Sequence, residues 1–286
     1  LGEKKWIGIG WSEECGGLGA SPIMQMLFHE EMVYNNGPLD PQAYQVGPAL
    51  IHHANEDLRK TYLGATARQE VVWCQGFSEP NSGSDLASLQ TTAVQDGDEF
   101  VINGQKIWTT WAHKADVIHI LTRTDPDAPK HRGISYFVLD MKTPGIDVRP
   151  LINMADGHEF NEVYFTDVRV PRANMIGEEN RGWYVAMTTL ENERSGIRDV
   201  SRAHRHLTDV FEVLKEAKGV AGIRRDTLMT NKLADLALQV EVSRRLSYRV
   251  GWMQDQGIPV EREAPVAKLF GSELSQRITY AGMELM

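Results

Sequence analysis

The chain has 286 residues, 42% hydrophobic and 24% charged, the balance of a globular protein with room for one large or two to three small domains. A formal net charge of −9, from 30 basic and 39 acidic residues, argues against a general nucleic-acid binder, which needs a basic surface to displace counterions. An anionic small ligand, held by a few local cations, stays open. Two cysteines, Cys15 and Cys74, stand at no zinc or disulfide spacing, so no metal site is expected and a reducing compartment is. No apolar run approaches the roughly 18 residues of a membrane span.

The chain opens at "LGEKKWIGIGW" without Met and stops at "QRITYAGMELM" inside an amphipathic pattern, so a fragment cut at both ends is expected. Residues 1–70 read as a helical domain. Ser21 is the N-cap and Pro22 the first helical position of one helix, with Ile23, Met24, Leu27, Phe28 and Met32 at helical spacing. Asn55 caps a second helix, with Gly64 past its end. "GIGW" is a turn, since no strand–helix unit surrounds it. The adjoining His52 and His53 read as a structural pair before a metal site.

From Val71 the period changes. Seven β-rich runs, from "VVWCQGF" to "FNEVYFTDVRV", fill residues 71–175, with Asp96-Gly97 and Asn103-Gly104 as turn signals between or within them. They predict a barrel or sandwich. From Gly182 the helical period returns. Residues 176–286 predict an antiparallel bundle, its first long helix marked by Leu190, Ile197, Val200, Leu207, Phe211 and Leu214. The fold class is α+β: a helical domain, a β-barrel or sandwich domain, then a helix bundle.

Two stretches carry chemistry. In "CQGFSEPNSGSD", Pro80 fixes direction, Gly83 permits positive φ and close approach, and Ser78 and Ser84 add hydroxyls. This is either a backbone nest for an anion or a polar turn in which Asp85 caps a short helix. In "GQKIWTTWAHKAD", Trp108 could pack on a planar ring, with Thr109 or Thr110 bonding its edge. The alternative is a core tryptophan flanked by strand threonines. His158 and Glu159 precede a strand near the expected substrate mouth.

Together with "GISYFVLDM", "FNEVYFTDVRVP" and "NRGWYVAMTTLENER", these stretches resemble the acyl-CoA dehydrogenases over essentially the whole chain. The resemblance implies that Gln75, Phe77 and Ser78 lie beside the isoalloxazine of FAD. It implies that Gly83 and Ser84 approach phosphates or the acyl-CoA, that Trp108 and Thr110 cover the ring, and that Thr109 adds backbone. Gln75 stands where the family often has an aromatic residue, and Ser78 where it often has Thr. The implied reaction is α,β-dehydrogenation of an acyl-CoA, with a carboxylate as base and an electron-transfer flavoprotein as acceptor. The base is Glu193, as in a minority of the family, or a residue beyond Met286, where the family more often has it. Arg194 matches a substrate-end arginine. Glu193 is expected to share an apolar helical face with Leu190 and Ile197.

The resemblance further implies a dimer or tetramer in the cytoplasm, or in the mitochondrial matrix of a eukaryote. "EAKGVAGIRRDTL", with Arg224 and Arg225, departs from the family's cross-subunit FAD contact. A catalytically silent or half-site subunit of a hetero-oligomer is therefore an alternative, as is an acyl-CoA oxidase or flavin monooxygenase of the same fold.

Overall fold

The computed structural model describes residues 1–39, 41–191, 195–216 and 226–285. Glu193, Arg194, Arg224 and Arg225 lie outside the described residues. The helices are α1 Pro22–Tyr34, α2 Pro41–His53 and α3 Glu56–Ala67; then, after the strands, α4 Gly182–Glu191, α5 Ile197–Glu216, α6 Thr227–Asp255 and α7 Glu263–Leu285. The strands are β1 Trp73–Gly76, β2 Thr92–Asp96, β3 Glu99–Lys106, β4 Val117–Arg123, β5 Ile134–Asp140, β6 Ile146–Ile152 and β7 His158–Pro171.

The expected caps form: Met24 N donates to Ser21 Oγ at 3.4 Å, and Leu58 N to Asn55 Oδ1 at 2.9 Å. Gly64 does not end its helix. α3 continues to Ala67, because one glycine costs about 1 kcal/mol against alanine and the apolar face of Leu58, Leu63 and Ala67 is buried across it. The stretch read as one long helix from Gly182 is two. Gly196 has φ +68, a left-handed value that separates α4 from α5. Leu190 lies in α4 and Ile197 in α5, so the two are not on one continuous helix.

The chain divides into two compact units: Leu1–Leu18 with Asp40–Asn192, and Gly19–Leu39 with Glu193–Met286. In the first unit, all seven β-rich runs form strands of one sheet. β4 pairs with β1 in parallel and with β5 antiparallel; β2, β3, β7 and β6 form an antiparallel run. The two halves join where Thr92 of β2 meets Arg123 at the end of β4, so the sheet curls back over itself. Cys74, Ile118, Ile120 and Phe137 of one half pack with Phe100, Ile102, Val163 and Phe165 of the other. The opposite face of the β1–β4–β5 half packs on helices: Trp73, Phe77, Leu121 and Tyr136 share a core with Val46 and Leu50 of α2, Leu63 of α3 and Val185 of α4. Cover on both faces explains why "VIHILT" is buried without alternation.

Asp96-Gly97 opens the β2–β3 hairpin, but Asn103-Gly104 is an irregularity within β3 rather than a turn. The pairing shifts so that Thr166 and Asp167 oppose Asn103. Gly104, at φ +149, passes so close to Thr91 that a Cβ would lie 2.5 Å from its Oγ1.

In the second unit, α5, α6 and α7 pack around Leu207, Leu233, Leu274 and Ile278, and α1 packs on α5 and α6. The Glu30 carboxylate of α1 is buried there, accepting from Arg244 Nε at 2.8 Å and from the Tyr248 hydroxyl.

Candidate functional site

The two chemistry-bearing stretches meet where β1 and β3 end. Ile107 N donates to Ser78 O at 2.9 Å, and Lys106 Nζ donates to Phe77 O at 3.2 Å. Lys106 is fully buried and reaches Glu79 Oε1 at 2.7 Å. Glu79 also accepts from the amides of Gln90, at 2.6 Å, and Thr91, at 2.9 Å. Burial drives the Lys106 ammonium down to about 8, with Glu79 opposing. Burial also works to raise Glu79, but Lys106 and the two amides outweigh it and hold the carboxyl below its usual range. Both groups are thus charged at neutral pH, a satisfied buried pair beneath the loop. Sequence reasoning missed this pair. Its signal was a lysine on the inward side of a strand, which demands an anion.

The loop above is fastened at several points. Glu79 and Ser82 exchange backbone bonds of 2.9 and 3.0 Å, and Ser82 Oγ donates to Asp85 O at 2.9 Å. Arg123 donates to Ala87 O at 2.6 Å, and Lys130 holds the Asp85 carboxylate at 2.8 Å. Asp85 precedes a short 3₁₀ turn but makes no side-chain cap, contrary to the capping alternative. Gly83 is not in the left-handed region, and a Cβ there would meet nothing within 4 Å, so the turn itself does not require glycine. Gly83 and Ser84 are exposed, and their amides reach no acceptor among the described residues.

Trp108 is 59% exposed, which excludes the core-tryptophan alternative. Its φ is +58. Lys106 pairs with Val163, yet Thr109 N bonds Asn161 O at 3.0 Å and Trp111 N bonds Glu159 O at 2.8 Å. The pairing has slipped by one residue, so Trp108 is the extra residue of a bulge that turns its indole out of the sheet, edge-on to Phe160 at 6.0 Å. A left-handed conformation at a non-glycine residue costs about 1–3 kcal/mol and persists where the surroundings over-determine it. Thr109 is fully buried and Thr110 half-buried; Thr109 Oγ1 has no hydrogen-bond partner among the described residues.

Gln75 is half-buried, and its Oε1 is also without a partner there. Its register partner on β4 is His119, a fully buried imidazole whose Nδ1 lies 2.5 Å from the Tyr136 hydroxyl. Burial pushes His119 down to about 3, so it is neutral. The Phe77 ring packs edge-on against both His119 and Tyr136, at 5.6 and 5.7 Å, so what Phe77 offers a ligand is its backbone. Ser78 is half-buried beside it.

Gln75, Phe77, Ser78, Gly83, Ser84, Trp108, Thr109 and Thr110 therefore fall on two adjoining segments of the first unit. An exposed indole next to Thr109, whose Oγ1 is buried and without a partner among the described residues, and the likewise unbonded Oε1 of Gln75 on the adjoining segment suit a planar heteroaromatic with polar edges. The residues present fit a flavin. Glu193 and Arg194 lie outside the described residues. His52 and His53 do not converge: His53 bonds Thr188 Oγ1 at 2.9 Å. Among the described residues no three His, Cys, Asp or Glu group together as metal ligands, and no helix is long and apolar enough to cross a membrane.

Three family models match the chain: acyl-CoA dehydrogenase N-terminal domain over residues 1–70, middle domain over 74–168 and C-terminal domain over 180–286. The acyl-CoA dehydrogenase FadE29 of Mycobacterium tuberculosis is 38% identical over 282 residues, 97% of this chain and 72% of its own length. A solved structure described as the Tcur3481-Tcur3483 steroid ACAD matches with a TM-score of 0.92 at 32% identity, covering 100% of this chain and 73% of that one. The ChsE4-ChsE5 complex from Mycobacterium tuberculosis matches with a TM-score of 0.90 at 32% identity, covering 99% and 74%. The chain belongs to the acyl-CoA dehydrogenase family of FAD-dependent enzymes.

Proposed function

We propose that this chain catalyses α,β-dehydrogenation of an acyl-CoA thioester and passes the electrons to an electron-transfer flavoprotein. The observation that carries the reading is Trp108, turned outward by a strained bulge at the point where the serine-rich loop meets the end of β3. Bound FAD supplies the acceptor for the substrate's β-hydride. Trp108 and Thr110 cover its ring, Thr109 and Gln75 offer polar atoms to its edge, and Phe77 and Ser78 offer backbone and hydroxyl. The amides of Gly83 and Ser84 receive phosphate or pantetheine oxygens. Ser84 and Arg194 bind substrate, and Glu193 takes the α-proton. The last two roles rest on the sequence match alone.

The experiment is turnover of the full-length protein with FAD, following enoyl-CoA formation with an electron-transfer flavoprotein as acceptor. A steroid-derived acyl-CoA is the first substrate to try, beside straight-chain thioesters, because a solved relative is described as a steroid ACAD. Enoyl-CoA formed without oxygen consumption supports the reading. Oxygen-dependent turnover would replace it with an oxidase or monooxygenase.

A second reading has its own support. Two of the solved relatives are described by two component names each, which favours a subunit that completes its site with a paralogous chain. Exposed Leu238, Val242 and Trp252 on α6, with Leu269 and Tyr280 on α7, fit cover by another subunit of the same fold. Co-purification of a paralogue, with no turnover by the isolated chain, would establish it. The free cysteines Cys15 and Cys74 suit a cytoplasmic or matrix setting.

A further inference from the structure

We infer that Asn161 is a positioning residue that sets the flavin-facing segment, and that His113 and His158 aim its amide. The inference rests on the reading of Trp108–Thr110 as the flavin cover.

Asn161 is fully buried near the start of β7, and its main-chain carbonyl and side-chain amide nitrogen both reach this segment. Its main-chain carbonyl accepts from Thr109 N at 3.0 Å, and its Nδ2 donates back to Thr109 O at 3.0 Å. Both backbone groups of Thr109 are therefore held by one residue. The return bond comes from a side chain, which can rotate, so something must fix the amide. Two imidazoles do. His158 Nε2 lies 2.9 Å from Asn161 Oδ1, and His113 Nδ1 lies 3.2 Å from Asn161 Nδ2. With Nδ2 donating to Thr109 O, Oδ1 must accept from His158 and His113 must accept from Nδ2; the opposite orientation would face the Thr109 carbonyl with an oxygen. The rings are stacked at 3.9 Å and 17° and are both exposed, so each is held by the other and by Asn161 rather than by the core.

The consequence falls on Trp108 and Trp111, on either side of Thr109 and left-handed at φ +58 and +56. Such strain persists only where the surroundings over-determine it. Asn161 supplies that restraint from beneath: release of Thr109 would let the bulge relax and swing the indole away from the ring it covers.

The test uses the full-length protein stripped of FAD and titrated with FAD, read by affinity, by the position of the visible flavin bands and by thermal unfolding. The variants are Asn161→Ala, the pair His113→Phe with His158→Phe, and His158→Gln. The wild type should bind; its failure to bind would sink the flavin reading itself. Asn161→Ala should bind roughly five- to tenfold more weakly, the worth of about one net hydrogen bond, with displaced flavin bands. The Phe pair keeps the stack without the hydrogen bonds and should move both readouts the same way. His158→Gln retains an N–H donor and should restore the wild-type bands. If Asn161→Ala does not fold, the exposed Phe pair decides. Wild-type affinity and bands in the Phe pair would overturn the inference while leaving the flavin reading intact. So would weakened binding with unmoved bands, which signifies general loosening.

Discussion

Ile107 N and Ser78 O lie 2.9 Å apart, and this bond ties the two stretches that carry the family resemblance into one surface. It sits directly above the Lys106–Glu79 pair. Neighbours in this platform are thereby coupled: moving the loop disturbs a buried charge, and disturbing the charge frees the loop.

Lys106→Met should therefore destabilise the protein by about 3–5 kcal/mol, because it leaves Glu79 buried without its cation. Changing both residues, Lys106→Met with Glu79→Leu, should recover part of the loss, since apolar replacement of a buried pair is often near neutral. Urea unfolding of the single and double variants checks this. Equal destabilisation by both would show that the pair is not a coupled unit.

Much of this platform was legible in the sequence. By composition "KIWTTW" and "FSEPNSGSD" suit a core tryptophan and a polar turn as well as a site, and the family resemblance is what singles them out, whereas all seven strands follow from β-rich runs. What escaped depends on pairs far apart in sequence. Lys106 meets Glu79 across 27 residues, and Asn161 meets Thr109 across 52; the strand period marks Lys106 as inward but names no partner, and no local period links Asn161 to Thr109. The break at Gly196 was hidden because the apolar spacing of Leu190 and Ile197 also suits one continuous helix. Asn103-Gly104 has the composition of a hairpin turn, yet close approach to Thr91 uses it inside a strand.

Acid should weaken the first unit through His119. The imidazole's folded value, about 3, lies below its unfolded 6.5. As pH falls below 6.5 the unfolded chain takes a proton that the folded one refuses, so stability drops, by up to about 1.4 kcal/mol per pH unit for one such group. Glu79 acts lower: its depressed carboxyl contributes stability above about 4.5 that is lost as pH falls through its folded value. His119→Phe should therefore flatten the dependence of unfolding free energy between pH 6.5 and 5, even if it lowers stability at pH 7 by leaving the Tyr136 hydroxyl without its imidazole. An unchanged slope would mean that His119 charges freely in the folded protein.

Glu193→Gln keeps size but cannot accept a proton. If Glu193 is the base, turnover should fall by roughly 10²–10⁴, with FAD content intact. Turnover within a few fold of the wild type would move the base to another carboxylate.

The flavin platform itself is tested most directly by FAD titration and urea unfolding of Trp108→Ala side by side. An outward-facing indole that covers a ring should, when removed, weaken FAD binding by on the order of 1 kcal/mol or more. Stability without FAD should change little, because the side chain is 59% exposed. Unchanged FAD affinity, with the loss of about 3–5 kcal/mol typical of a core tryptophan, would contradict the account.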